Sequence, residues 1–323
     1  MVFMKGWVQA FELFPHTIYL TLAGSHAYGL DTPESDIDLR GIAIPPKEYA
    51  LGFAKQFKQC ERRGEDDVVI FNIVKFFELA ADANPSIFEL LWTDPKFHVL
   101  STKYFEMMVE AREMFLSRRI EKTFTGYAYG QLKRINTHRG WLLNPPKEKP
   151  KREDYGLSNT RIVSRDQEGA LKVLLGKGTL KESDIPTSFL EVLIAENKYD
   201  AALRNWKSYE DWKTNRNPAR AILEERYGFD VKHASHLARL MLMGQEVQTT
   251  GKVKVLRDDA EIFRGIRRGE WSYEQLIEWM ETKDREIRDF AAKGPHVLPE
   301  EPNLDKLNQL CMKIQETFFK DNP

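Results

Sequence analysis

The sequence predicts an α+β protein: a small mixed β-sheet with helices near its start, followed by a larger helical region. Three observations predict it. The β-rich strings are concentrated between residues 17 and 72. From residue 73 the apolar residues change from a period near two to one near 3.6. Beyond residue 101 nearly every segment repeats at helical spacing. The change predicts a first domain over residues 1–100 and a helical domain over 101–323.

Taken in order, TIYLTLA at 17–23 reads as the first strand and residues 37–44 as the second. Residues 56–63 and 67–72 flank an RGED turn and predict a hairpin. Val74, Phe77, Leu79 and Ala80 then mark a helix that stops near Asn84-Pro85, and 87–92 reads as a short helix. Further helices are expected at 102–116, 119–143, 166–175, 187–196, 198–213, 216–227, 230–249, 258–268, 272–292 and 303–320. Proline-rich loops at 144–154 and 294–302 interrupt them, and no internal repeat is present.

Composition narrows the class. The net charge of −1 gives no global polyanion-binding signature, so any nucleic-acid contact must come from a local patch. The content of 30% charged and 42% hydrophobic residues is that of a globular chain. Cys60 and Cys311 lie far apart without ligand spacing, which argues against a disulfide framework or a structural zinc and fits a reducing compartment. The opening string MVFMKGWVQAFELF lacks an apolar run and a small-residue cleavage site, and no stretch approaches membrane-spanning length. A cytoplasmic protein is expected.

The chemistry concentrates in AGSHAYGLDTPESDIDLRG at 23–41. Side chains on a strand alternate faces, so Asp36 and Asp38 project from the same face. Two adjacent carboxylates repel unless a cation lies between them, and a divalent metal carrying triphosphate oxygens answers that repulsion. Two-metal phosphoryl transfer wants a third carboxylate from a neighbouring strand. Asp67 is the choice, with Asp66 as the fallback because a one-residue register change flips the face. Gly24 lets the backbone approach a phosphate, and the Ser25 hydroxyl can donate to it. A Gly-Ser pair alone is a common turn, and a lone Asp-x-Asp is commonly a solvated strand face. The two together, in order between two strand-like strings, point to metal-dependent nucleotidyl transfer.

These residues resemble the DNA polymerase β-type nucleotidyltransferase superfamily, whose pattern is Gly-Ser, a variable stretch, Asp-x-Asp and a later strand carboxylate. More narrowly, the chain is similar to the RNA-repair-associated branch, also encoded by phages. The strings that carry this are GSHAYGLDTPESDIDLRG, DVVIFNIVKFFELAADANPSIFELLW, GYAYGQLKRI, KHASHLARLMLMGQE and IRRGEWSYEQL, spread over residues 24–276. The resemblance implies a polymerase β-like palm. It implies that Gly24 and Ser25 help bind the triphosphate of an NTP and that Asp36, Asp38 and Asp67 bind two Mg²⁺ ions.

Other residues are candidates for supporting roles. Lys232, His236 and Arg239 fall at i, i+4 and i+7 on one helical face, either a solvated stripe or a triphosphate contact. Arg40 shares the strand face of Asp38, to balance the acids or reach a phosphate, or else to make a plain structural ion pair. His26 and Tyr28 would touch base or ribose, or Tyr28 would pack under the turn. Residues 118–165 hold twelve Lys or Arg against four acids, interleaved with Tyr127, Tyr129, Trp141 and Tyr155. Within it Lys133, Arg134, Arg139, Lys151 and Arg152 are the candidate contacts to a single-stranded or tRNA-like RNA end, the alternative being a helix with solvated charges and core aromatics. An RNA 3′ end is the favoured acceptor. The rivals are a protein or small-molecule acceptor, and a catalytically silent nucleotide- or RNA-binding protein.

Overall fold

The computed structural model describes residues 11–33, 35–62, 64 and 66–323. Residues 1–10, most of the opening string, and Arg63 and Glu65 of the hairpin turn lie outside the described residues. The elements in chain order are β1 (Thr17–Leu22), α1 (Gly24–Tyr28), β2 (Ile37–Ala43), α2 (Lys47–Ala50), β3 (Gln59–Arg62), β4 (Asp66–Asn72), α3 (Ile73–Ala81), α4 (Pro85–Phe88) and β5 (His98–Ser101). Then follow α5 (Lys103–Glu110), α6 (Arg119–Leu143), α7 (Arg165–Gly176), α8 (Thr187–Asn215), α9 (Pro218–Tyr227), α10 (Val231–Thr250), α11 (Ala260–Arg267), α12 (Tyr273–Lys293) and α13 (Leu304–Asp321). The α+β expectation holds.

The strands form one mixed sheet in the order β3-β4-β2-β1-β5. β2 and β4 run parallel, and the other pairs are antiparallel. On one face Leu39, Val68 and Ile70 build a core with Leu20, Phe57 and Cys60, and Ile37 packs against it. By the two-residue alternation of strands, Asp38, Arg40 and Asp67 stand on the opposite face. Both β2 and β4 open on two half-buried residues before their first buried one, Leu39 and Val68, so their N-terminal ends lie at the wet rim of the sheet.

α3 starts directly after β4, where the Asn72 side chain accepts the backbone N–H of Val74 at 2.7 Å. α4 opens on Pro85, and a 3₁₀ turn, Glu89–Trp92, continues it. α5 is joined to the sheet by the Tyr19 ring, which stacks on Phe105 at 3.5 Å between centroids. Two expectations need correction. The helix expected over 102–116 breaks at Ala111 (φ −103°, ψ 9°) and resumes as the 3₁₀ turn Arg112–Phe115. The helices expected at 187–196 and 198–213 are one, α8, because Asn197 does not cap: its amide donates to the Leu193 carbonyl one turn back at 2.9 Å.

The chain forms two compact units. One combines the described residues up to Ile135 with Val231–Pro323; the other is Asn136–Asp230. In the first, α13 packs on α3 and α5, and α10 packs on α11 and α12. The second is helical, with the indole of Trp141 donating to Asn205 Oδ1 at 3.0 Å among the rings of Tyr209 and Trp212. No described helix is long and apolar enough to cross a membrane.

Candidate active site

The parallel pairing of β2 with β4 assembles the acidic residues. Ile37 pairs with Asp66 and Asp38 with Asp67. Paired residues in a sheet share a face, so Asp67 stands beside Asp38, whereas Asp66 shares the side of Ile37. Asp36 immediately precedes β2 and is exposed, while Asp38 and Asp67 are half-buried. The donor set is oxygen only, at a solvated rim, and suits a hard divalent cation such as Mg²⁺.

Gly24 closes this site from β1. The Ala23 N–H donates to the Asp38 carbonyl at 2.8 Å, and Gly24 follows with φ +59°. A Cβ on residue 24 would lie 2.4 Å from Asp38 Oδ2. Both the left-handed backbone and the close approach require glycine here. Ser25 is half-buried in the first turn of α1, and its carbonyl accepts the N–H of Leu30 at 2.8 Å.

Arg40 ties the acidic strands together. Its Nη1 donates to the Asp67 carbonyl at 3.0 Å and the Leu39 carbonyl at 2.9 Å, and Nη2 lies 3.4 Å from Asp38 Oδ1. Among the described residues, the one acidic side chain it meets is that of Asp38, and its other contacts are backbone carbonyls.

The cationic stripe of α10 differs from its sequence reading. Lys232 is exposed and His236 half-buried, but Arg239 is only 3% exposed and pairs with Glu89, itself 3% exposed. Arg239 therefore lies on a buried carboxylate and not on an open phosphate-contacting face. The reason is that α10 is enclosed from Ala234 to Met241 on nearly every side, so a stripe along it runs from solvent into the core. The Arg239 guanidinium carbon sits 3.7 Å from the centre of the Tyr28 ring, and the Tyr28 hydroxyl donates to Glu89. Burial pushes the Tyr28 phenol well above its ordinary range, with Arg239 acting the other way. The polar end of Tyr28 is thereby occupied and does not reach toward a base. Burial also pushes the His236 imidazole down to about 3, helped by Arg239, His233, Arg134 and Arg267. His26 Nδ1 faces Asp31 at 3.5 Å, and His233 Nδ1 meets Gln131 Oε1 at 2.7 Å.

Three residues that the sequence reading did not single out grip the loop after α1. Arg264 donates to the Gly29 carbonyl, Arg267 Nη1 donates to the Leu30 carbonyl at 2.9 Å, and the Arg257 N–H reaches the Tyr28 carbonyl at 3.4 Å. Glu89 was missed as well. Its signal was an acid inside the apolar run PSIFELLW, a buried charge in want of a partner.

The basic candidates divide. Lys133, Arg134 and Lys151 are exposed. Arg139 Nη1 donates to the Gly228 carbonyl at 3.4 Å. Arg152 is held by the fully buried Glu196, with Nη1 3.0 Å from Oε2, and the neighbouring Arg161 bonds Asp200 at 2.8 Å and Glu168 at 2.9 Å. Arg152 is thus an internal ion pair and not an open nucleic-acid contact. The positive excess counted along 118–165 is partly cancelled by acids that arrive from later in the chain.

Residues 8–146 match the model of RlaP, the RNA repair pathway DNA polymerase beta family. The chain is also 25% identical over 341 aligned positions to an uncharacterized 38.9 kDa protein from the nrdC–mobD intergenic region of Enterobacteria phage T4. That alignment covers 94% of this chain and 95% of the phage protein. The family resemblance read from the sequence is borne out, including its occurrence in phages.

Proposed function

We propose, from the premise that residues 8–146 are of the polymerase β type, that this protein transfers a nucleoside monophosphate from an NTP to an acceptor hydroxyl and releases pyrophosphate. The observation that carries it is the register that sets Asp67 beside Asp38, at the strand ends where Gly24 lies against the same carboxylate. Asp36, Asp38 and Asp67 would hold two Mg²⁺ ions, which supply charge neutralisation at the phosphate oxygens. The acceptor oxygen forms a bond to the α-phosphorus as the bond to the pyrophosphate oxygen breaks. Asp67 takes the acceptor proton, and Gly24 and Ser25 hold the β- and γ-phosphates, with Lys232 and His236 from α10 in support. Arg40 keeps the Asp38 carboxylate aligned by its ion pair.

The favoured acceptor is an RNA 3′ end in the cytoplasm, supported by the family's RNA-repair description and by the exposed Lys133, Arg134 and Lys151. In this reading residues 1–100 are the catalytic domain and residues 101–323 the helical domain that receives the acceptor. A protein or small-molecule acceptor is the second reading, favoured by the internal engagement of Arg139 and Arg152. The test is incubation with Mg²⁺ and each α-labelled NTP, with and without total RNA. Label on RNA that survives protease treatment supports an RNA acceptor, and label on protein alone replaces it with the second. No Mg²⁺-dependent labelling, or labelling that survives Asp36→Ala, overturns the catalytic assignment.

A further inference from the structure

Tyr28, Glu89 and Arg239, the first half-buried and the other two buried, form a closed set drawn from α1, the 3₁₀ turn after α4, and α10. The Glu89 carboxylate accepts from the Tyr28 hydroxyl and from Arg239 Nη1, while the guanidinium carbon sits over the Tyr28 ring, 3.7 Å from its centre. Arg239 Nη1 also contacts Met243 Sδ at 3.1 Å. A buried ion pair is seldom worth more to stability than apolar residues of the same volume, because both ions must be stripped of water. What such a pair supplies in some proteins is a single defined geometry.

The place it defines is the Gly24–Tyr28 helix. This helix is barely longer than one turn and makes no stable structure by itself. Its first residue lies against Asp38, and its last carries the ring under Arg239. The carbonyls of Gly29 and Leu30, just beyond, are bound by Arg264 and Arg267. A shift of Tyr28 must therefore move Gly24 and Ser25 with it.

We infer that Glu89 and Arg239 are positioning residues for nucleotide binding, acting through Tyr28 to fix the Gly24-Ser25 turn against Asp38. This role rests on the nucleotidyl-transfer reading. Neither residue touches the nucleotide; each sets where the backbone that does so lies. Their effect falls on the affinity for the NTP and not on the bond-making carboxylates.

The experiment is calorimetric titration of the full chain with each of the four NTPs in Mg²⁺, alongside thermal unfolding. Tyr28→Phe removes one hydroxyl and keeps the ring. It is expected to weaken binding of the preferred NTP about tenfold, as loss of a hydrogen bond to a buried charge implies. Arg239→Met is expected to weaken it further, and Arg239→Lys, which keeps the charge, to recover part of the loss. Phe76→Leu, in the core on α3 and making none of the contacts of this set, is the control: it is expected to lower Tm and leave the dissociation constant unchanged. If Tyr28→Phe and Arg239→Met bind as the wild type does, the positioning role is overturned. It is equally overturned if Phe76→Leu weakens binding as much for the same loss of Tm. If the wild-type chain binds none of the four NTPs, the nucleotidyl-transfer reading falls, and the positioning role with it.

Discussion

The Asp38 carboxylate occupies the space that a side chain on residue 24 would need, with Oδ2 at 2.4 Å from an ideal Cβ on Gly24. Strand β2 and the turn after β1 are thus fitted to each other at the level of one missing methyl group. Gly24→Ala would meet a left-handed backbone penalty of about 1–2 kcal/mol and would also push the carboxylate aside. Transfer is expected to fall by at least about 100-fold, as a displacement near 1 Å at a reacting centre costs. Steady-state assay beside thermal unfolding checks this; wild-type turnover in the alanine variant would show that the contact is dispensable.

The strand register separates two adjacent acids. Asp67→Asn is expected to lower transfer by about 1,000-fold, the scale of losing a group that acts directly on transition-state charge. Asp66→Asn, on the Ile37 side, is expected to stay within about threefold of wild type. Measured kcat for both variants decides it, and a reversed order would move the third carboxylate by one residue.

His236 gives the protein an acid limb. Its imidazole is held down to about 3 in the fold, chiefly by burial and then by Arg239, His233, Arg134 and Arg267, against about 6.5 in an unfolded chain. The unfolded state therefore binds the extra proton first. The stability tied to neutral His236 is complete above pH 6.5 and drains away as pH falls toward 3, by up to about 1.4 kcal/mol per pH unit. His236→Gln is expected to flatten urea-unfolding stability between pH 6.5 and 4 relative to wild type. Parallel curves would show that the acid limb comes from other groups.

Arg152 is expected to behave as an internal brace. Arg152→Met leaves the buried Glu196 with Arg161 at 3.7 Å as a poorer partner, and removing one member of a buried pair costs about 3 kcal/mol. Chemical denaturation should show that loss, while the salt dependence of RNA binding stays as in wild type. An unchanged stability with a lost RNA affinity would restore Arg152 to the acceptor surface.

Local pattern was enough to read β1 to β4, the Gly-Ser turn and most helices, because each is written in neighbouring residues, whereas the four-residue edge strand β5 was not read. Register was not readable, and it is register that distinguishes Asp67 from Asp66. Ion pairing was hidden for the same reason. Arg239 looked like a surface cation because its carboxylate, Glu89, lies 150 residues earlier. Arg152 looked available because Glu196 lies 44 residues later. A helix face assigned from spacing alone also misleads on α10, which is enclosed around much of its circumference.

The grip of α10 and α11 on the loop after α1 sets an order of assembly. A newly made chain exposes Gly24, Asp38, Asp67 and Glu89 long before Arg239, Arg264 and Arg267 leave the ribosome. A fragment ending at residue 146, where the family match ends, would keep every acid of the site and lack those three arginines. Its Glu89 would be a carboxylate in an apolar pocket without its cation, and its nucleotide turn would be free to drift. On the proposed function, the smallest working piece of this protein is expected to extend through Arg267 and not to end after the aspartates.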